Sequence, residues 1–299
     1  MSPVRSFRAI AAPALALLAL APAASAVVTY GVTNQQRLVT WDSSTPGTLL
    51  SGLAITGLAS NETIQGIDFR PNDGFLYGLG SLNNLYRIDT LTGATSLVSA
   101  LSIPLNGANF GFDFNPTGPV ALRIVSNTDK NYRIANPAAG GVVATDTDLN
   151  YVAGDAGFGA NPNITHVAYT NSAFGATATT LYGIDASRDT LVRFAAPNAG
   201  TLQTVGTLGI GAPADVNVFG GFDILAAGNL GFAAVMRVDQ SSTMFWSIDL
   251  TTGVGTAVGQ IGGGEVIHAM ALAGGNIPAP ASLSLLGLTT GLLAARRRR

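Results

Sequence analysis

Short runs that alternate apolar and polar residues recur along the chain, separated by turns rich in glycine, asparagine and aspartate. Such alternation predicts β-strands and hairpins. One strand pattern occurs five times, with glycine first and aspartate third in its strongest copies: GIDF at 66–69, GFDF at 111–114, HVAY at 166–169, GFDI at 221–224 and AMAL at 269–272. The intervals between the third positions are 45, 55, 55 and 48 residues, which is the length of a propeller blade with its loops.

A second repeated element follows the strand pattern and predicts a hairpin. Its copies are LYRIDTLTG at 85–93, NYRIANPAAG at 131–140, LYGIDASRD at 181–189 and FWSIDLTTG at 245–253. The aspartates Asp89, Asp185 and Asp249 are suited to Asx-type turns, and Gly93 and Gly253 to a positive φ.

The first residues after the amino-terminal segment have the later part of a repeat without its opening strand. YGVTNQQRLVTWD at 30–42 aligns with YGLGSLNNLYRID at 77–89, so the strand at 269–272 is free to complete this sheet. We therefore predict an all-β fold, a β-propeller of five four-stranded blades whose termini share one blade, since closure removes free sheet edges. A β-sandwich or a solenoid of the same strands is the alternative.

The body also resembles a bacterial family known as domain of unknown function 4394. The matching segments are GIDFRPNDGFLYGLG (66–80), NFGFDFNPTG (109–118), RIVSNTDKNYRIANP (123–137), AYTNSAFGATATTLYGID (168–185), PNAGTLQTVGTLG (197–209) and IGGGEVIHAMAL (261–272). The resemblance implies a secreted, propeller-like domain and brings no catalytic residues with it.

The amino terminus reads as a secretory signal peptide over residues 1–26. Arg5 and Arg8 form a basic start, residues 9–21 are apolar, and Ala24 and Ala26 flank Ser25 in a small-x-small cleavage site. An uncleaved membrane anchor is the alternative, although the stretch is short for one. Residues 27–275 then form the propeller-like domain.

Residues 276–299 read as a sorting segment. Pro278, Ala279 and Pro280 precede an apolar run at 281–295, and the chain ends in Arg296, Arg297, Arg298 and Arg299. With residues 277–280 the run reaches the length of a spanning helix, and its terminal arginines predict that the body lies on the extracytoplasmic side. The segment resembles the PEP-CTERM signal of Gram-negative bacteria, which implies recognition by an exosortase. It departs from that pattern at Ala279, where the family has glutamate, and a plain anchor is the alternative.

The charge of the body limits its partners. Six of the 15 basic residues lie in the two terminal segments, which leaves nine basic against 17 acidic residues and a net charge of −8. An acidic domain is not suited to nucleic acid, which requires a basic face. The chain has no cysteine, so its stability must come from a packed core rather than from disulfides.

The repeated aspartates are the main candidates for chemistry. In a propeller the first strand of each blade lines the central channel, so Asp68, Asp113 and Asp223 would come from equivalent places on three blades. Such carboxylates could hold Ca²⁺, act as a glycosidase pair, or accept hydrogen bonds from a neighbouring blade. We expect the structural role, in which the aspartates accept hydrogen bonds from a neighbouring blade. Binding of Ca²⁺ as a cofactor is the second alternative and catalysis is the third.

Other motifs are weaker. Asp146, Asp148 and Asn150 have the spacing that opens a calcium loop, but Tyr151 and Gly157 stand where its glycine and glutamate should be. His166 and His268 lack a zinc-site spacing, and no GxSxG motif is present. We expect core packing between blades for the hairpin aromatics, although exposed rings could bind sugars; they are Trp41, Tyr77, Tyr86, Tyr132, Tyr182 and Trp246.

Location and the lack of a strong catalytic motif together predict an exported, non-enzymatic protein of the periplasm, cell surface or extracellular matrix. Its expected partners are an exosortase-type enzyme, the inner membrane through the C-terminal helix before processing, and extracellular polysaccharide or matrix. The alternatives are a carbohydrate-active hydrolase or lyase that uses the channel aspartates, and a calcium-stabilised binding module.

Overall fold

The computed structural model describes residues 26–137, 139–210 and 216–274, which form five β-sheets around one axis. The predicted sorting segment and all but the last residue of the predicted signal peptide lie outside the described residues. In the part of the chain that is described, no helix is long and apolar enough to cross a membrane.

Each sheet is one blade, and we number the blades in the order in which the chain visits their inner strands. The first strands of the described residues are β1 (Val28–Thr33), β2 (Arg37–Asp42) and β3 (Leu49–Ala54). Blade 1 contains β4 (Ile64–Phe69), β5 (Leu76–Gly80), β6 (Asn84–Ile88) and β7 (Thr95–Ala100). Blade 2 contains β8 (Phe110–Phe114), β9 (Leu122–Ser126), β10 (Asn131–Ile134) and β11 (Val143–Thr145).

The remaining strands complete the ring. Blade 3 contains β12 (Asn150–Tyr151), β13 (Ile164–Tyr169), β14 (Leu181–Asp185), β15 (Thr190–Ala196) and β16 (Thr201–Thr207), with a 3₁₀ helix at Pro197–Ala199. Blade 4 contains β17 (Val216–Leu225), β18 (Leu230–Arg237), β19 (Met244–Ile248) and β20 (Gly255–Gln260). Blade 5 contains β21 (Ile267–Leu272) followed by β1, β2 and β3.

The two ends of the domain meet in blade 5. Strand β21 pairs antiparallel with β1, with Ala271 opposite Tyr30 and Ala269 opposite Val32. The five inner strands β4, β8, β13, β17 and β21 contact one another in that cyclic order. This confirms the predicted five-bladed propeller with one shared blade, in which every inner strand begins a repeat.

Two details differ from the prediction. Blade 3 has a fifth strand, because the two-residue β12 pairs in parallel with β16 at the outer edge. The segment LYGID is the second strand of its blade, whereas its counterparts in β6 and β19 are third strands. Asp89, Asp185 and Asp249 all form the expected Asx-type turns, since each accepts the backbone N–H of the residue two positions on. Asp185 is also buried and accepts a hydrogen bond from the Tyr151 hydroxyl at 2.6 Å.

Glycine begins the repeated strand because the next blade lies very close. A Cβ added at Gly66 would stand 2.7 Å from Cβ of Phe112, and one added at Gly221 would stand 2.4 Å from the backbone nitrogen of Met270. In both cases the obstructing residue belongs to the inner strand of the following blade. The glycine therefore permits the approach of adjacent inner strands.

Apolar side chains fill the interfaces between blades. Among the described residues there is one buried hydrophobic cluster for each of the five interfaces. Edge-to-face aromatic pairs cross three of them, which are Tyr30 with Phe69, Tyr77 with Phe114 and Trp41 with Phe245. Burial on both faces explains why the inner strands contain so few exposed residues.

A belt of backbone hydrogen bonds joins the blades at their outer edges. Each segment that crosses from one blade to the next pairs with the outer hairpin of the blade it enters. The N–H groups and carbonyls involved are Thr56 to Gly93 (3.1 Å), Ser102 to Gly141 (2.8 Å), Asn150 to Gly200 (2.9 Å), Gly255 to Leu208 (2.8 Å) and Gly262 to Pro46 (3.0 Å). The ring is thus fastened at both its inner and its outer radius.

The close approach at Gly221 gives a stability prediction. Gly221→Ala should lower the free energy of unfolding by about 1–3 kcal/mol, because the new methyl group overlaps the backbone of β21. Gly47→Ala is the matched control, since its Cβ would meet only a carbonyl oxygen at 3.8 Å. Urea denaturation of both variants measures the difference, and equal stabilities would contradict the packing argument.

Candidate functional site: the buried aspartate triad

Asp68, Asp113 and Asp223 come together at the centre of the ring. They occupy the third position of the repeated strand in blades 1, 2 and 4, and all three are buried. One carboxylate oxygen from each lies within 4.8 Å of the other two. Within the described residues, this is the one group of three or more histidine, cysteine or acidic residues close enough to hold a metal ion.

Each aspartate connects its own blade to the next one. The carboxylates accept hydrogen bonds from backbone N–H groups of the following inner strand: Asp68 Oδ2 from Phe114 (2.8 Å), Asp113 Oδ1 from Tyr169 (3.2 Å) and Asp223 Oδ2 from Leu272 (2.6 Å). Blades 3 and 5 have Ala168 and Ala271 at this position. The triad therefore supplies a side-chain link at three of the five interfaces.

The three carboxylates accept different numbers of hydrogen bonds. Asp68 also accepts the N–H of Phe69 at 2.7 Å, and Asp223 that of Ile224 at 2.6 Å. Asp113 accepts only the one longer bond among those described. Because N–H donors stabilise the ionised form, Asp113 is the least suited to carry a charge.

Burial raises the pKa of all three groups, and repulsion by neighbouring aspartates adds to this for Asp68 and Asp113. Desolvation raises the pKa of Asp223 to about 6, against the lowering effect of its two N–H donors. Desolvation and then the charge of Asp223 raise the pKa of Asp68 well above its ordinary value. Desolvation and the charges of Asp68 and Asp223 do the same for Asp113. Below these raised pKa values, three buried carboxylates this close share at least one proton unless a cation balances their charge.

The space around the triad is small. A cavity of about 30 Å³ is lined by Asp68 and Asp223, and one of about 20 Å³ lies towards the amino-terminal ends of the inner strands. Small-molecule sites typically measure about 300–1,000 Å³. The triad has room for water and no room for a sugar ring.

The donor set only partly suits calcium. Carboxylate oxygens are the ligands that Ca²⁺ prefers, but the ion takes about six to eight of them. Here three side chains converge, and five of their six oxygens already accept an N–H. A shared proton satisfies the same charges without further ligands, so the geometry suits a proton better than Ca²⁺.

The two histidines do not join the triad. His166 is buried, and desolvation lowers its pKa to about 4, which keeps the imidazole neutral at physiological pH. His268 stacks on Phe219 with ring centroids 4.5 Å apart. Both side chains pack against neighbours in the inner part of the ring.

The acidic run after β11 does not form a calcium loop. Asp146 pairs with Arg123 at 2.7 Å and with Arg133 at 3.2 Å, and Asp148 pairs with Lys130 at 2.6 Å. Ion pairs therefore occupy the two carboxylates. Arg123 and Arg133 lie in no sequence motif that marks them as site residues. Arg123 becomes apparent only when the strand registers of the five blades are compared, because it lies opposite the third position of the repeated strand.

The hairpin aromatics lie mainly in the core. Four of the six named from the sequence are buried, which are Trp41, Tyr77, Tyr86 and Tyr132. Tyr182 and Trp246 are partly buried and pack against the cluster between blades 3 and 4. None of the six is an exposed platform for a sugar ring.

A family model matches residues 37–271, which is most of the chain. The chain belongs to the family described as domain of unknown function, DUF4394. This confirms the resemblance found from the repeated segments. No curated protein matches the DUF4394 chain.

Several solved structures are similar to this DUF4394 protein. They include an auxiliary nutrient binding protein from Bacteroides thetaiotaomicron (TM-score 0.42, 14% identity, 79% of this chain and 50% of that one). A protein of unknown function from the same organism has a TM-score of 0.49 and 12% identity, with 84% and 66% covered. The Dos1 propeller has a TM-score of 0.41 and 16% identity, with 76% and 56% covered. The chain thus spans about half to two thirds of the length of these structures.

The raised pKa values predict that stability falls as pH rises. A group whose pKa is higher in the folded than in the unfolded state stabilises the fold below its unfolded pKa, and this contribution is lost as pH rises through the folded value. The free energy of unfolding should therefore decrease between pH 4 and pH values above about 6, where Asp223 ionises. Urea denaturation across this range measures the slope.

Two asparagine variants distinguish the effect of the shared proton on stability from the effect of the hydrogen bonds that the carboxylates accept. Asp113→Asn mimics the protonated acid, so it should flatten the slope and leave stability at pH 8 no lower than in the wild type. Asp223→Asn places an amide group against two N–H donors and should cost about 1–3 kcal/mol at pH 8. Equal losses in both variants would contradict this assignment.

Proposed function

We propose that this DUF4394 protein is an exported, non-enzymatic propeller that binds extracellular polysaccharide or matrix. The observation that supports a non-catalytic role is the state of the triad. Its three carboxylates are buried and accept N–H groups of the next blade, and the cavity that Asp68 and Asp223 line measures only about 30 Å³. The residues that looked most like a catalytic centre are therefore occupied in joining the blades.

The terminal segments support the proposed location. The small-x-small site at Ala24 and Ala26 favours export, and the final arginines favour a C-terminal segment whose basic end stays in the cytoplasm. We propose that this segment first anchors the protein in the inner membrane and is then recognised by an exosortase-type enzyme. The protein would afterwards reside in the periplasm, at the cell surface or in the matrix.

The rival function is a hydrolase or lyase that uses the same aspartates. A glycosidase needs a pair of carboxyl groups on either side of an accessible glycosidic bond. The triad satisfies the requirement for proximity but not that for access. This contrast favours a structural role for the triad over cleavage.

One experiment separates the two functions. Residues 27–275 contain the 21 strands that the structure describes and can be incubated with the extracellular polysaccharide of the host. We expect the protein to sediment with the polymer and no new reducing ends to form. Asp113→Asn is the matched variant, and it should sediment equally well.

New reducing ends that disappear in Asp113→Asn would overturn the proposal, because an enzyme loses orders of magnitude in rate when a catalytic carboxylate is replaced. Absence of co-sedimentation with every polymer tested would remove the binding function.

The calcium-stabilised alternative has its own test. A bound ion stabilises only the folded state, so its removal lowers the melting temperature. With a shared proton in the triad, EDTA should leave the melting temperature unchanged at pH 8. A fall that added Ca²⁺ reverses, and that is absent in Asp113→Asn, would place a cation among the aspartates.

A further inference from the structure

One blade breaks a side-chain pattern that the other four share. The residue on the second strand that pairs with the third position of the inner strand is aromatic in blades 1, 3, 4 and 5 and arginine in blade 2. These residues are Tyr77, Tyr182, Phe232, Tyr30 and, in blade 2, Arg123. A buried cation thus replaces an aromatic ring at a single place in the repeat.

Polar groups from two blades hold Arg123 in position. Its side chain is only 3% exposed. Nη1 donates to Asn131 Oδ1 and Asp146 Oδ2, both at 2.7 Å, and Nη2 donates to Asn198 Oδ1 at 2.5 Å. Asn198 belongs to the 3₁₀ helix of blade 3. Nε of Arg123 is buried and has no hydrogen-bond partner among the described residues.

A second arginine lies beside the first. Arg133 on β10 pairs with Arg123 in the strand register, so both side chains lie on the same face of blade 2. Arg133 also binds Asp146, through Nε at 3.2 Å and Nη2 at 3.3 Å, and its side chain stays 34% exposed. Asp146 is the carboxylate that forms ion pairs with both arginines among the described residues, so the two arginines exceed their paired carboxylate by one positive charge.

The two arginines border a groove between blades 2 and 3. It measures about 570 Å³, and its polar lining includes Asn115, Thr117, Arg123, Arg133 and Asn198. A groove of this size is within the range of small-ligand sites. The body has nine basic residues in a domain of net charge −8, so two of them at one groove form a local exception to its acidic surface.

We propose that this groove, which we call the Arg123–Arg133 groove, binds the carboxylate of a uronic acid unit in an acidic polysaccharide. The inference rests on the proposed polysaccharide-binding function and names its ligand class. Arg133 donates to the carboxylate, and Arg123 is the positioning residue that holds Asp146 and thereby Arg133. Asn115, Thr117 and Asn198 supply amide and hydroxyl groups of the kind that bind sugar hydroxyls.

The charge and shape of the cluster favour a carboxylate. The planar guanidinium group matches a carboxylate with two parallel hydrogen bonds. One uncompensated positive charge balances one carboxylate, whereas a phosphate dianion would bring an excess negative charge into a half-buried site. A neutral sugar would leave the exposed part of Arg133 without an anion.

Calorimetric titration of residues 27–275 with a short oligogalacturonate tests the proposal. The neutral oligogalactan of the same length is the comparison ligand, and methyl phosphate and sulfate are anion controls. We expect the oligogalacturonate to bind at least tenfold more tightly than any of these. This comparison uses only the wild-type protein and so does not depend on the folding of a variant.

Arg133→Gln should weaken oligogalacturonate binding by about tenfold to a hundredfold, as expected for the loss of one or more charge-assisted hydrogen bonds. Arg193→Gln is the matched control, because Arg193 has the same register position in blade 3, opposite Tyr182, and borders a different groove. The control should keep wild-type affinity, and melting temperatures show that both variants fold.

The outcomes distinguish the ligand class from the wider function. Equal affinity for the acidic and neutral sugars would overturn the proposal that the Arg123–Arg133 groove binds a uronate, and so would equal losses in Arg133→Gln and Arg193→Gln. Either result would leave the proposed polysaccharide binding intact. Tighter binding of phosphate or sulfate than of oligogalacturonate would overturn the uronate assignment. Failure to bind any polymer or oligosaccharide would overturn both proposals.

Discussion

The structure depends on the contact between one inner strand and the next, where a backbone N–H of the following blade meets a buried carboxylate. The contact needs two features of the repeat at once. A glycine at the first position lets the strands approach, and an aspartate at the third position accepts the N–H that this approach brings near. The aspartate of the repeated pattern therefore joins adjacent inner strands at three of the five blade interfaces.

The number of blades that can place a carboxylate at the axis is limited. Each added carboxylate at the axis is buried near the others, which raises the free energy of the ionised forms. Alanine at positions 168 and 271 keeps the number of acidic groups at three. Apolar clusters are present at all five interfaces, and the outer belt of backbone hydrogen bonds supplies a link that needs no particular side chain.

The different uses of side chains at the axis and between the blades explain where ligands can bind. Side chains at the axis are used to join blades. The larger grooves lie between neighbouring blades, and none of the three aspartates lines them. Blade 2 and blade 3 depart most from the common pattern, through Arg123, the 3₁₀ helix and the extra strand β12. At these departures from the repeat, blades 2 and 3 carry side chains and backbone segments that the other blades lack.

The sequence by itself determined the class and the closure of the fold. Period-two alternation, the spacing of Asp68, Asp113 and Asp223, and the incomplete first repeat were enough to predict five blades that share their termini, because these features are local or periodic. Sequence alone did not show that LYGID is a second strand in blade 3, because it ends in the same Ile-Asp pair as the third strands of blades 1 and 4, and only strand pairing distinguishes them.

Only the tertiary structure decided what the aspartates and arginines do. Whether a channel aspartate is accessible depends on how closely the next blade approaches, and the distances to Phe114 and Leu272 answer this where spacing along the chain cannot. The pairing of Arg123 with Asn198 joins residues 75 positions apart in different blades. Such contacts arise from the packing of distant segments, which no local pattern encodes.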